Sequence, residues 1–237
     1  IISDDFKIGS KLERLNFEKI IDEIKSDLFD DTTDEVLKQV IKHGNPSLSI
    51  SVDRIPIEKP TIRFSAIPRI RLRLAEGFTT NKKEYHNCKF FMVDGAVASA
   101  SEITKLLNHS FENKEETIFL VCKSFNDEVL FTLKENYIRD IINVIPIQYG
   151  HDLESINSLA DLAACVGGQP YTPVMGDMLI SADMSRMGQA DYCRIGFSDL
   201  AVKPSKKYKK HKKRLAKKIS DSQDDTAKIL SKRLALL

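Results

Sequence analysis

The feature that most constrains this chain is an alternation of strand and helix signals between residues 89 and 168. Phe90-Phe-Met-Val93 reads as a short buried strand. Ser99 to Phe111 reads as a helix with Ser99 or Ser101 as its cap. Thr117-Ile-Phe-Leu-Val-Cys122 is an unbroken apolar strand, and Asn126 to Asp140 is helical. Ile141 to Ile145 reads as a further strand, followed by a helix from Leu153 to Val166 that ends in Gly167-Gly168. Strands and helices alternating with short links imply a parallel sheet covered by helices, the α/β class.

The glycine pair admits two readings, a phosphate-binding turn or a helix stop. A phosphate loop places glycine after a strand and before a helix, so that helix N-terminal amides face the anion. Here the glycines follow the helix, at its partly negative end, where glycine supplies a left-handed cap. The order of elements favours the helix stop.

Outside this block the signals differ. Residues 11 to 29 and about Thr33 to His43 read as helices, the second stopped by Gly44-Asn45-Pro46. Ser47 to Val52 alternates as a half-buried strand. Arg69-Ile-Arg-Leu-Arg-Leu74 alternates basic and apolar residues, as a strand with one wet face would. Ser220 to Leu237 reads as a helix opened by Asp221, Asp224 and Asp225, with Ile229, Leu230, Leu234 and Leu237 as its apolar stripe.

With 237 residues, 42% of them hydrophobic, the chain can bury one large core or two small ones. No apolar run approaches the length that spans a bilayer, and no signal peptide is visible. The chain opens without an initiator Met, as a fragment or a processed product would. Cys88, Cys122, Cys165 and Cys193 are widely spaced and show no metal-ligand pattern. They read as buried thiols of a reducing cytosol, so the expected location is cytoplasmic, with no membrane association and no metal.

Several segments, in this order, resemble the group I chaperonins. Val121 to Asn136 is similar to that family's strand followed by a helix of Glu-Ala-Leu-Ala-Thr-Leu type, with Arg139 placed like an Arg before the next strand. Tyr149-Gly150 and Asp161-Leu-Ala-Ala-Cys-Val-Gly-Gly168 resemble the Pro-Gly-Phe-Gly-Asp turn and the Asp-Ile-Ala-x-x-Thr-Gly-Gly element. Met187-Gly-Gln-Ala190 resembles Leu-Gly-Gln-Ala, and Phe78-Thr-Thr-Asn81 resembles Phe-x-Thr-Asn. The collinear order over roughly residues 33 to 237 carries the likeness. It implies an apical-domain-like, parallel-containing sheet flanked by helices at 65–200. It also implies a mostly helical intermediate domain built from 1–64 and 201–237, with Gly44 as a hinge.

The resemblance further implies a molecular chaperone that binds non-native polypeptide as part of an ATP-driven homo-oligomeric ring. A co-chaperonin lid is a further implied partner. The intact family member would hold Mg-ATP in an equatorial domain; no cofactor is expected in this chain, whose own enzymatic status stays open. Asp224 falls near the family's Asp that helps activate the hydrolytic water, and a helix N-terminal acid is the competing reading. Family members bind clients through apolar side chains of two parallel apical helices. Onto that surface fall Phe78, Thr104, Leu107, Leu130, Lys134 and Glu135. Thr104, Lys134 and Glu135 stand where the family is normally apolar, so the groove is expected to be polar and its binding narrower or weaker. Leu107 and Leu130 also fit ordinary core positions.

Two other function classes compete. Ten Lys and Arg residues between Lys203 and Lys218, with Tyr208 interleaved, could track a nucleic-acid backbone; such a run is more often a solvated helix face. A small-molecule enzyme would need a constellation, and the five histidines are scattered, with Tyr149-Gly-His-Asp152 the nearest approach.

Overall fold

The computed structural model describes residues 67–80, 82–150, 157–196, 199–205, 208–222 and 224–236. The helices expected at 11–29 and 33–43, the strand at 47–52 and the hinge glycine Gly44 lie outside the described residues. Ile67 to Ala235 cluster as one compact unit.

The sheet grows outward from β5 (Ile118–Cys122), the five-residue apolar run, every residue of which is buried. β3 (Glu84–Met92) and β7 (Val144–Gln148) flank it in parallel, Phe91 opposite Leu120 and Ile147 opposite Val121. The helix α1 (Thr104–Glu112) links β3 to β5, and α2 (Asp127–Ile138) links β5 to β7. Right-handed crossovers taken twice in one direction place both helices on the same face of the sheet.

The sheet is mixed rather than purely parallel. β8 (Gly188–Ile195) runs antiparallel to β3, then come β9 (Leu200–Val202) and β1 (Arg69–Ile70), while β2 (Arg73–Leu74) borders β7. The order is β1-β9-β8-β3-β5-β7-β2. The single strand expected at 69–74 is thus two strands on opposite edges, separated by Arg71 and Leu72. Six strand spacings of a flat sheet amount to roughly 29 Å, which two residues at about 3.3 Å each cannot cross. The sheet therefore curls until its edges lie close together. The alternation survives the split: Ile70 and Leu72 are buried, and Arg71 and Arg73 are exposed. A separate two-stranded pairing joins β4 (Ala96–Val97) to β6 (Ser124–Phe125).

Two other boundaries moved. β3 begins at Glu84, not Phe90, because pairing with β8 extends it through the half-wet stretch Glu84 to Lys89. The strand expected at Ile141–Ile145 runs instead from Val144 to Gln148. Ile141 and Ile142 turn the chain out of α2, both N–H groups pointing to the Asn136 carbonyl after Asp140 adopts a left-handed φ of 56°.

The helix α3 (Ser158–Val166) stops at Gly167, whose φ is +76° and whose N–H donates to Ala163 O at 2.9 Å. Gly168 lies against the start of β8. A Cβ there would sit 2.6 Å from Gly188 Cα and 2.7 Å from Met92 Cε. The pair is a helix cap followed by a close backbone crossing, and it leaves no room for a phosphate.

The C-terminal segment is two helices, α4 (Tyr208–Ser220), which carries most of the basic run, and α5 (Asp224–Leu236), which covers the helix expected from Ser220. α4 places Tyr208 and Leu215 in the core and leaves its lysines outside. All four cysteines are buried and free.

Candidate functional site

Each of the two crossover helices is locally specified. Ser99 Oγ accepts the Ser101 N–H at 3.2 Å and opens a 3-10 turn, Ala100–Ile103, that leads into α1. Asn126 Oδ1 accepts the Glu128 N–H at 3.1 Å, and Asp127 and Glu128 lie at the positive end of α2. Ile103, Leu106 and Ser110 face the sheet from the first helix, and Val129 and Leu133 from the second. Ser110 Oγ accepts the Asn143 N–H at 3.0 Å, which ties α1 to the approach of β7.

The candidate side chains fall on α1, on α2, beneath α2 and at the start of α5. Thr104, Leu107 and Phe111 fall along one side of α1; Thr104 and Phe111 are exposed and Leu107 is half-buried against the core. On α2, Lys134 is exposed, while Leu130 and Glu135 are half-buried; Glu135 Oε2 accepts from Arg139 Nη2 at 3.1 Å. Phe78 needs correction: it is 5% exposed, its ring 5.1 Å from that of Tyr137 on α2. It supports that helix from beneath and offers no surface. Asp224 is the first residue of α5.

The residue-type reading missed the exposed apolar side chains that matter most. Phe111, Phe131 and Ile138 are each more than half exposed. Phe131 and Ile138 stand seven residues apart, two turns on one face, a spacing that was readable. They point away from the face that buries Val129 and Leu133.

A second surface lies on the other side of α1. The chain from Gln169 to Met187 runs through three 3-10 turns, Pro173–Met175, Leu179–Ser181 and Met184–Arg186. Arg186 ties it down: its guanidinium bonds both carboxylate oxygens of Asp177 at 3.0 and 3.2 Å and the Pro170 carbonyl at 2.7 Å, and stacks 3.9 Å from the Tyr171 ring. Arg186 holds the Asp177 carboxyl below its usual range. Tyr171 packs 4.9 Å from Phe91 and donates its hydroxyl to Asp183 O at 2.6 Å. Between this loop and α1 is an open cavity of about 430 Å³, bordered by Lys105, Asn108, His109, Glu112 and the Ala182–Met184 segment. Nearby, Glu116 takes bonds from Lys89 at 2.6 Å and His109 at 3.2 Å; these outweigh its partial burial and keep its carboxyl below the usual range.

Comparison with known proteins places this geometry in a class. No family model matches the chain. It is 27% identical over 108 residues to the RuBisCO large subunit-binding protein subunit beta, chloroplastic, of Secale cereale, covering 45% of this chain and 21% of that protein. The chaperonin gp146 from the bacteriophage EL 2 (Pseudomonas aeruginosa), in the presence of ATP-BeFx, superposes in two crystal forms. In form I the TM-score is 0.54 at 16% identity over 72% of this chain and 35% of that one. In form II it is 0.51 at 16% identity over 71% and 36%. The fold is therefore chaperonin-like, a mixed α/β sheet with its helices. Sequence and fold together make this a divergent chaperonin-like chain, spanning about a fifth of the length of the curated relative and about a third of gp146.

Proposed function

We propose that this chain acts as a molecular chaperone portion that captures non-native polypeptide on the face built by α1 and α2. In this reading residues 65–200 are an apical domain, with intermediate-domain segments at 1–64 and 201–237 and a hinge at Gly44. The observation that carries it is the set of Phe111, Phe131 and Ile138, three large apolar side chains more than half exposed on neighbouring crossover helices. Exposed apolar clusters on a protein surface mark interaction sites. Leu107 and Leu130 widen the face, and Lys134 and Glu135 narrow what it accepts. The rye relative's name, a binding protein for another protein's subunit, supports a polypeptide client.

The resemblance adds a nucleotide-driven ring and a lid to the intact protein. The gp146 crystals held an ATP analogue. The glycine pair at the end of α3 supplies no phosphate loop, since Gly168 is packed against Gly188 and Met92. Asp224, at the start of α5, is the residue we assign to water activation in the intact assembly. Four buried free thiols suit a reducing, cytoplasmic compartment; no described helix is long and apolar enough to cross a membrane.

The test is suppression of light scattering by a chemically denatured client diluted into the chain. Phe131→Ser/Ile138→Ser is expected to abolish most suppression while leaving the circular dichroism spectrum unchanged. Undiminished suppression would refute the assignment.

A further inference from the structure

Among the described residues, the strongest concentration of exposed apolar side chains lies outside the two helices. Within seven residues of the loop, Val174 is 90% exposed, Met175 84%, Met178 66% and Ile180 59%. An isolated exposed apolar residue is ordinary, but four in one short segment are not. The segment is not held outward for want of anchoring. Leu179 and Ala182 are buried, and the Tyr171, Asp177 and Arg186 contacts fix both ends of the loop. The backbone is specified to keep these four side chains in water.

We propose that this loop is a second contact for non-native polypeptide, taking short uncharged apolar stretches of the client beside α1. The proposal rests on the reading of α1 and α2 as the capture face. Continuity is given by the packing: Leu179–Ser181 lies against the Ala100–Ile103 turn and α1, and Lys105 Nζ donates to Ala182 O at 3.4 Å. Chemistry selects the occupant. From Pro173 to Ser181 the one charged side chain is Asp177, and its carboxylate is neutralised by Arg186. Two of the four exposed residues are methionines, unbranched and polarizable, which adapt to many apolar shapes. A surface of that kind suits a variable client; it contributes little of the fixed register that a subunit contact requires. The loop also compensates for α2, where Lys134 is exposed and Glu135 is half-buried.

The experiment uses the full chain and fluorescein-labelled, reduced and alkylated α-lactalbumin, a permanently unfolded probe. Binding is measured by anisotropy for the parent chain, for Met175→Ser/Met178→Ser and for Phe131→Ser/Ile138→Ser. Both loop positions are exposed, so their variants are expected to fold normally. Loss of two buried thioether contacts is expected to weaken probe binding about tenfold. A photoreactive version of the probe is expected to label the peptide that contains Met175 and Met178. Parental affinity and no labelling in the loop, together with lost affinity in the α2 variant, would overturn the loop contact and leave the capture face standing. No binding by the parent chain would overturn both. An altered sedimentation mass of the loop variant with unchanged probe affinity would also overturn it, by assigning the loop to contacts between copies.

Discussion

At the scale of single residues, the two adjacent glycines have separate jobs and predict separate costs. Gly167 needs its left-handed φ, so Gly167→Ala is expected to lose about 1–2 kcal/mol. Gly168 needs an absent side chain, since a Cβ would press on Gly188 and Met92; Gly168→Ala should cost more, about 3 kcal/mol, in urea unfolding. Equal costs would mean that the crossing relaxes easily. The helix stop was readable because a cap is local. The crossing was not, because Gly188 lies far along the chain. The same holds for Asp161, which was read only as part of a motif. It is buried, and it receives His211 Nε2 at 2.6 Å and Arg233 through Nε at 2.5 Å and Nη2 at 2.6 Å. One carboxylate thereby joins α3, α4 and α5. Removing one partner of such a group leaves buried charge uncompensated. Asp161→Ala is expected to lower stability by about 3–5 kcal/mol, with protection of α4 and α5 amides lost in hydrogen exchange.

At the scale of elements, the loop from Gln169 to Met187 should respond to acid. The bond from Arg186 holds the Asp177 carboxyl below the usual carboxylate range. A carboxyl with a depressed folded pKa stabilises the fold above its unfolded value, and that contribution fades as pH falls through the folded one. The loop is therefore expected to gain hydrogen exchange below pH 3.8, ahead of β3 and β5, and Arg186→Gln should produce the same loosening at neutral pH. An identical exchange profile in the variant would contradict the anchoring role. Helices α1 and α2 were legible because their caps and buried positions are local signals. β7 was misplaced by three residues, since Ile141 and Ile142 are as apolar as the strand that follows. Only the left-handed turn at Asp140 separates them; Asp tolerates that conformation better than most residues but adopts it only in a minority of cases. The loop was missed altogether, because its apolar residues follow neither helical nor strand periodicity.

At the scale of the molecule, the proposed capture face mixes apolar and charged residues. Lys134→Val/Glu135→Val is expected to raise affinity for an unfolded client several-fold, measured with the same labelled probe; no gain would mean that these side chains already lie outside the contact. The α/β class and the three parallel strands were legible from alternation alone. The antiparallel half of the sheet was legible only in part: Arg69 to Leu74 reads as one strand, and its division between β9 and β7 depends on partners distant in sequence. The curl of that sheet also bears on how the chain itself acquires structure. Arg69 pairs with Ala201, and Arg73 with Gln148. During synthesis the segment around Ile70 must wait until well over a hundred later residues have emerged before it finds its place. Contacts of such long reach carry a large loop-closure entropy and form slowly. In the interval Ile70 and Leu72 stay unburied on the nascent chain, so a molecule proposed to shelter unfinished proteins spends part of its own life as one.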